Sequence, residues 1–283
     1  MPLNASSIRL ASVSVAGNPA NRGASTASFS PLSSDVILFL SGATNLGAGG
    51  GSDGVEVLLS TLGGNQRPTI LSLAEDGTPR RGGISDPVFA PDGTKVAFVT
   101  NRPLVDADVD AGFFDVYVRD LVTGRLELVS DGARSATAPI FAPDGETIVF
   151  RDFVPRTDGQ PGFVSVLLRR DLATGSIERL DVKPDGTLSA NWFDARFSPD
   201  GTKLVFASTA ADLVPGDSNN AADIFVKDLG TGEIVRVSTN AAGEQASGGS
   251  QRPSFSPDGT KVVFASAASN LVPGDRNNAA DIF

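Results

Sequence analysis

One phrase recurs along this chain and limits what the chain can fold into. "FAPDGTKVAF" at 89–98 returns as "FAPDGETIVF" at 141–150, "FSPDGTKLVF" at 197–206 and "FSPDGTKVVF" at 255–264, and a degraded copy, "FSPLSSDVILF", begins at Phe29. Successive copies start 52 to 60 residues apart. Self-similarity with a period of this size is typical of repeat folds, in which each unit is one supersecondary structure. The sequence therefore predicts five related structural units.

A second phrase follows the first in the later units and completes the description of one repeat. It reads "DVYVRDLVTGRLELVS" at 115–130, "VSVLLRRDLATGSIERL" at 164–180 and "DIFVKDLGTGEIVRVS" at 223–238. Pro-Asp-Gly and Thr-Gly each favour a tight turn, and the flanking runs are rich in β-branched and aromatic residues. Each unit is therefore expected to form four antiparallel strands. Repeated four-stranded units of this length indicate an all-β fold, a β-propeller.

The two ends of the sequence suggest how such a propeller closes. "SIRLASVSVAGNPANRGASTASFSP" near the N-terminus resembles "EIVRVSTNAAGEQASGGSQRPSFSP" at 233–257, so the chain begins in the last strand of a blade. We expect a single domain, 1–283, with blades at about 14–72, 73–130, 131–180, 181–238 and 239–283 plus 7–13. A five-bladed ring would then be closed by the N-terminal strand, which removes an exposed sheet edge. The alternative is a fragment of a longer propeller, because the final "DIF" lacks the residues that follow it in the earlier copy.

Composition narrows the chemistry that this fold can support. The sequence contains no histidine and no cysteine, which excludes Ser-His-Asp and Cys-His catalysis as well as thiolate metal sites. The 33 acidic residues outnumber the 23 basic ones, giving a net charge of −10, so a nucleic-acid partner is not expected. No apolar run approaches the roughly 20 residues that span a bilayer. These features predict a protein that is not an enzyme.

The connections between the second and third strands carry the most distinctive polar residues. Candidate calcium ligands are Asp217, Asn219 and Asp223 in the fourth unit, Asp275, Asn277 and Asp281 in the fifth, and Asp106, Asp108 and Asp110 in the second. Calcium takes six to eight oxygen ligands, and alternate loop positions can direct them at one point. The same side chains can instead brace the loop by bonding nearby backbone amides. Both interpretations stay open at the level of sequence.

The repeated phrases resemble the WD-like propeller repeats of the TolB type. That resemblance implies a bacterial, exported or cell-surface binding or scaffold module, periplasmic or extracellular. It also implies a monomer that binds a protein or another surface ligand on a propeller face, with calcium as the one cofactor considered. The same family includes propeller domains of larger peptidases. A substrate-gating domain, or a fragment of a hydrolase- or lyase-type enzyme, is therefore the alternative function.

Overall fold

All of the regular secondary structure in the described residues is β-strand. The computed structural model describes residues 11–14, 16–46, 54–63, 66–109, 112–130, 134–155, 161–180, 182–183, 191–277 and 279–283. No helix among these residues is long and apolar enough to cross a membrane. Clustering of the backbone divides the chain into two compact units, Met1–Pro139 and Ile140–Phe283.

The strands form five antiparallel sheets, which confirms the predicted all-β repeat. The first sheet contains β1 (Ala24–Ser30), β2 (Ser33–Ser41), β3 (Glu56–Thr61) and β4 (Thr69–Ile70). The second contains β5 (Ile84–Phe89), β6 (Lys95–Thr100), β7 (Asp115–Asp120) and β8 (Leu126–Leu128). The third contains β9 (Arg134–Phe141), β10 (Thr147–Pro155), β11 (Phe163–Asp171) and β12 (Ile177–Arg179). The fourth contains β13 (Trp192–Phe197), β14 (Lys203–Ser208), β15 (Asp223–Asp228) and β16 (Ile234–Arg236).

The fifth sheet has three strands in the described residues: β17 (Ser250–Phe255), β18 (Val262–Ser266) and β19 (Asp281–Ile282). The predicted closing strand at 7–13 lies mostly outside the described residues, because the description begins at Ala11. Closure by that strand therefore stays a prediction. We number the sheets as blades one to five in chain order.

The second and third strands of a blade are buried because both of their faces are apolar. In β6 the run Val96–Thr100 is buried throughout, and in β14 Leu204–Ser208 is buried in the same way. A strand that is hydrophobic on both faces needs cover on both, which neighbouring sheets provide in a stacked repeat. The repeated phenylalanine supplies part of this cover. Phe89 belongs to one buried cluster with Leu38 and Val57 of the first blade.

A bulge at one fixed position distorts the first strand of every blade. The residue three places before the repeated phenylalanine has a positive φ of 51° to 55°, which few non-glycine residues adopt. These residues are Thr26, Asp86, Ala138, Asp194 and Arg252. The strand pairing shifts register next to this residue in the first, second, fourth and fifth blades. Because side chains of such different chemistry share the bulge, it is a property of the blade and not of one residue.

The sequence similarity between the N-terminus and residues 233–257 has a structural counterpart. Isolated bridges join Val13 to Pro19 and Thr239 to Gln245, at the same six-residue spacing. Both bridges enclose a turn with the same backbone hydrogen bond. Ser14 N donates to Asn18 O at 2.8 Å in the first, and Asn240 N donates to Glu244 O at 2.9 Å in the second. The two segments therefore have the same local conformation.

Candidate functional site

The loop between β14 and β15 brings the predicted ligands Asp217 and Asp223 to a common point. The amide nitrogen Nε2 of Gln245 lies 2.7 Å from Asp217 Oδ1 and 2.7 Å from Asp223 Oδ2. Gln245 is placed there by the turn that follows β16, and its Oε1 accepts the Ser218 amide at 3.1 Å. Two carboxylates thus face one position, and an amide donor from the next segment fills it.

The third predicted ligand, Asn219, holds the same loop from inside. Its Nδ2 donates to Asp223 Oδ2 at 3.2 Å and to the Ala246 carbonyl at 2.9 Å, while its Oδ1 accepts the Ala221 amide at 2.8 Å. The last bond is the pattern of an Asx turn, in which the side chain replaces a backbone partner. All three of the predicted ligands of this loop therefore make structural hydrogen bonds.

A buried arginine adds positive charge beside Asp217. Arg236 Nη1 lies 3.9 Å from Asp217 Oδ2, and the two side chains are 11 % and 3 % exposed. Within the described residues, Nε and Nη1 of Arg236 have no hydrogen-bond acceptor. A guanidinium at this distance repels a cation placed between the two carboxylates. It therefore lowers the affinity that the acidic loop could have for calcium.

The loop before β19 repeats this geometry only in part. Asn277 Nδ2 donates to Asp281 Oδ2 at 2.8 Å, and Asn277 Oδ1 accepts the Ala279 amide at 2.8 Å. Asp275 is partly exposed on the same loop. The loop is therefore the same Asx turn as in the fourth blade, but the described residues place no glutamine amide against Asp281.

The acidic run of the second blade is used differently. Tyr117 donates its hydroxyl proton to Asp108 Oδ2. Burial, together with this bond, raises the pKa of Tyr117 well above its usual value. Asp106 is exposed, and Asp110 lies outside the described residues. Asp108 Oδ1 is buried and has no hydrogen-bond partner in the described part of the chain.

These loops can be compared with what a calcium ion requires. Calcium needs six to eight oxygens, and the fourth-blade loop offers two convergent carboxylates. Among the described residues, no three acidic side chains lie close enough together to hold a metal ion. The carboxylate oxygens present would fit a weak calcium site in which main-chain carbonyls and water supply the other ligands. Calcium at these loops therefore stays a prediction.

The sequence analysis did not identify a buried carboxylate–serine pair that recurs at the start of the third strand. Ser72, Ser130 and Ser238 donate their hydroxyl protons to Glu56, Asp115 and Asp223 at 2.5, 2.6 and 2.5 Å. Each serine also accepts the backbone amide of the residue that follows the acid, at 3.0 to 3.1 Å. The pair ties the fourth strand to the third. A serine 15 residues after the acid in the second and fourth units is the signal that could have revealed it.

Two basic side chains likewise hold neighbouring blades together. Arg119 on β7 donates to the carbonyl of Leu71 at 3.0 Å and also to that of Leu73. The equivalent residue on β15, Lys227, donates to the carbonyls of Leu180 and Val182 at 2.9 and 2.6 Å. In each case the cation reaches the segment after the preceding sheet. These two basic residues thus join neighbouring blades.

Arg102 of the second blade also joins two neighbouring blades, through an ion pair with Glu56 of the first. It is fully buried, and its Nη1 lies 2.7 Å from Glu56 Oε2. Its Nη2 also donates to the Gly82 carbonyl at 2.8 Å. A buried ion pair is favourable only when hydrogen bonds satisfy its remaining atoms, and Glu56 has Ser72 as its second partner.

Three aspartates brace the turns between the third and fourth strands. Asp120, Asp171 and Asp228 each accept the backbone amide of the threonine three residues later, at 2.7 to 2.9 Å. These backbone bonds lower the pKa of all three carboxyl groups. Asp120, Asp171 and Asp228 therefore brace the turns that follow their strands.

Several known proteins match part of the chain in sequence. No protein-family model matches it. A Protein TolB homolog of Chlorobium luteolum is 28 % identical over 174 residues, covering 50 % of this chain and 36 % of the relative. An uncharacterized peptidase of Bacillus subtilis is 26 % identical over 205 residues, covering 64 % of this chain and 29 % of the peptidase. The matched segments thus span about a third of these relatives' length.

Solved structures agree with this fold. The structure of putative TolB from Agrobacterium tumefaciens matches with a TM-score of 0.53 and 18 % identity, covering 92 % of this chain and 76 % of that one. At this level of identity the match shows the fold alone. The resemblance to TolB-type β-propeller repeats, first visible in the Phe-Ser/Ala-Pro-Asp-Gly phrases, is confirmed.

Proposed function

We propose that this TolB-like β-propeller is a non-enzymatic binding or scaffold module, exported or at a bacterial cell surface. The observation that supports this proposal most is the use made of its carboxylates. The acids that recur from blade to blade bond serines or backbone amides of their own blade. These bonds stabilise the blade, and those to Asp120 and Asp228 lower the pKa of the carboxyl groups, which makes them weak general bases.

The loops between the second and third strands are the proposed binding surface. They differ in length and composition while the strands that flank them repeat, which is the usual distribution of function on a rigid scaffold. In the fourth blade, bonds from Asn219 and Gln245 hold the loop in one conformation. A preordered loop loses little conformational entropy on binding. A protein or another surface ligand is the proposed partner.

Calcium is a proposed stabiliser of these loops, with the fourth blade as its first site. Asp217 Oδ1 and Asp223 Oδ2 converge on one position, and calcium there would have to displace the Gln245 amide. Because Arg236 opposes a cation at this position, we expect a dissociation constant of about 10⁻⁴–10⁻³ M. Thermal melting in rising calcium, with magnesium as the control, tests this. An unchanged melting temperature at millimolar calcium would remove calcium from the proposal.

The alternative function is that of the propeller portion of a larger hydrolase. The similarity to a Bacillus subtilis peptidase over 64 % of this chain favours it as the second candidate. In that case the propeller would admit or exclude substrates while another domain performs the hydrolysis.

One pair of measurements tests the non-enzymatic binding module. The purified chain is incubated with an aminoacyl p-nitroanilide, and its saturable binding to a bacterial envelope fraction is measured in parallel, with heat-unfolded chain as the control. The binding module predicts saturable binding of the folded chain and no release of p-nitroaniline. Release of p-nitroaniline at a rate proportional to the concentration of the chain would contradict the non-enzymatic proposal. Equal binding by the folded and the unfolded chain would contradict the binding module.

A further inference from the structure

The third blade differs from its neighbours in the length of its two middle strands. β10 and β11 have nine residues each, whereas the corresponding strands of the second and fourth blades have six. The pairing of β10 with β11 continues from Thr147 with Asp171 to Pro155 with Phe163, without a shift of register. The fourth strand, β12, has three residues, as in those blades. The two middle strands therefore form a hairpin that extends beyond the fourth strand.

The extension leaves one edge of β11 without a neighbouring strand in the described part of the chain. β12 pairs only with Leu168–Arg170, and Leu180, which follows β12, donates its amide to the Leu167 carbonyl at 2.8 Å. Backbone groups of alternate residues in a strand point to the same side. The N–H and C=O of Ser165 therefore point the same way as those of Leu167, away from β10, and no described backbone group bonds them. We call Phe163–Leu167 the open edge.

The corresponding edge in the first, second and fourth blades is closed by the acid–serine pair. In the second blade Ser130 accepts the Val116 amide and donates its hydroxyl proton to Asp115. In the third blade Val166 occupies the position of Asp115, so this pair cannot form there. The sequence of the third unit thus removes this closure and also adds three residues to each middle strand.

The open edge has none of the features that usually prevent the addition of another strand. Proteins normally block an exposed edge with proline, with charged side chains or with a bulge. The open edge reads "FVSVL", without proline or a charged residue, and its pairing with β10 is regular. Phe163, at its beginning, is 44 % exposed. The edge therefore has the properties of a strand that accepts a partner.

Positive charge lies beside the open edge, although the whole chain has a net charge of −10. Arg151 pairs with Leu167, so its side chain lies on the face of the blade that also carries Phe163. The guanidinium carbon of Arg151 is 5.5 Å from the ring centre of Phe153 on the same face. A segment with acidic side chains complements this face, whereas a second copy of the chain would bring two such arginines together.

We propose that the open edge binds an extended, acidic segment of a partner protein as an added β-strand. The N–H and C=O of Ser165 bond the main chain of the partner, and the acidic side chains of the partner face Arg151. Addition of a strand to an exposed sheet edge is a general mode of peptide recognition, in which main-chain bonds supply affinity and side chains supply specificity. The inference rests on the proposed binding function, and it names one edge and one class of partner for that function.

Fluorescence anisotropy of a labelled peptide of alternating glutamate and valine tests the proposal. The peptide is expected to bind the folded chain saturably and to slow the exchange of the Ser165 amide hydrogen. Ser165→Pro removes this N–H, which β10 does not use, so the strand tolerates the change and the affinity should fall about tenfold. Ser165→Ala keeps the N–H and is the matched control, which should bind like the wild type. Melting temperatures of both variants, expected to lie within a few degrees of the wild type, verify folding.

Three results would overturn the proposal. The first is equal affinity of Ser165→Pro and the wild type, or unchanged exchange of the Ser165 amide hydrogen when the peptide is bound to the wild type. The second is equal binding of a peptide of alternating lysine and valine. The third is a dimer of the chain that Ser165→Pro abolishes and the acidic peptide does not dissociate, which would assign the edge to a second copy.

Binding to the bacterial envelope fraction separates this inference from the proposed function. If the wild-type chain binds the fraction but not the acidic peptide, the binding module stands and the open edge is not its site. If the chain binds the peptide in a way that Ser165→Pro weakens but does not bind the fraction, the open edge stands and the proposed function falls.

Discussion

Two loops of nearly identical sequence differ in what holds them. "LVPGDSNNAADIF" leads into the fourth blade's third strand and "LVPGDRNNAADIF" into the fifth blade's. Both form the same Asx turn, through Asn219 and Asn277. Asp223 is 0 % exposed and is bonded by Ser238 and Gln245 in addition to Asn219. Asp281 is only partly buried, and among the described residues Asn277 is the side chain that bonds it.

In the fourth blade, the segment that follows the third strand supplies the partners of the loop's buried acid. Ser238 ends the phrase at 223–238 and Gln245 belongs to the turn after it, so neither lies in the loop itself. With these partners the acidic loop of the fourth blade is part of a buried polar network. A buried network is stable only when every member is satisfied. The two loops therefore provide a matched pair for experiments.

The largest difference is expected when the shared acid is removed. Asp223→Ala leaves the Ser238 hydroxyl without its acceptor in a buried site and leaves the Gln245 amide with Asp217 alone. The free energy of unfolding should fall by about 3 kcal/mol. Asp281→Ala removes a partly exposed acid and should cost less than about 1 kcal/mol. Urea denaturation of both variants measures this, and equal losses would show that the neighbours of Asp223 contribute nothing.

A smaller effect is expected when the bridging amide alone is removed. Gln245→Ala leaves Asp217 and Asp223 facing each other with only Arg236 near the first. The unfolding free energy should fall by about 1–2 kcal/mol, since one buried donor is lost and two carboxylates repel. Gln251→Ala, at an exposed position on β17, is the control and should be neutral. If Gln245→Ala leaves the unfolding free energy unchanged, Arg236 alone offsets the repulsion between Asp217 and Asp223.

Calcium should stabilise the fourth loop more strongly after this amide is changed to an acid. Gln245→Glu places a third carboxylate at the point where Asp217 and Asp223 converge. The variant should be less stable than the wild type without metal. Calcium at ten times the dissociation constant should restore about 1.4 kcal/mol. Melting curves in calcium and in magnesium distinguish a specific calcium site from general screening of the negative charges. Equal effects of the two ions would contradict a specific site.

Sequence could predict the blade but not the environment of its loops. Pro-Asp-Gly and Thr-Gly determine their turns locally, so Asp120 and Asp228 could be assigned before the structure was known. The burial of Asp223 and the position of Gln245, 22 residues away, depend on how the fourth strand pairs. The buried ion pair of Arg102 with Glu56 depends on two blades packing together. Contacts of this second kind leave no fixed spacing in one sequence.

The Pro-Asp-Gly turns provide the converse case, in which the fourth and fifth blades should behave alike. The Ser198 hydroxyl and Thr202 amide lower the pKa of Asp200 to about 2, and Ser256 and Thr260 do the same for Asp258. Because a free aspartate has a pKa of about 3.9, each folded turn favours the ionised acid. The stabilisation is present above about pH 4 and is lost as pH falls through about 2.

Asp200→Asn and Asp258→Asn should therefore have small and equal effects on the urea midpoint at pH 7. Each variant should also lose less stability than the wild type between pH 4 and pH 2, because it lacks the titrating group. Denaturation at steps of half a pH unit measures both effects. Equal shifts of the urea midpoint for Asp200→Asn and Asp258→Asn would show that the stability of these turns is determined locally. Unequal losses of unfolding free energy for Asp223→Ala and Asp281→Ala would show that the stability of the loops depends on tertiary contacts. Unequal shifts would show that packing also modifies the turns.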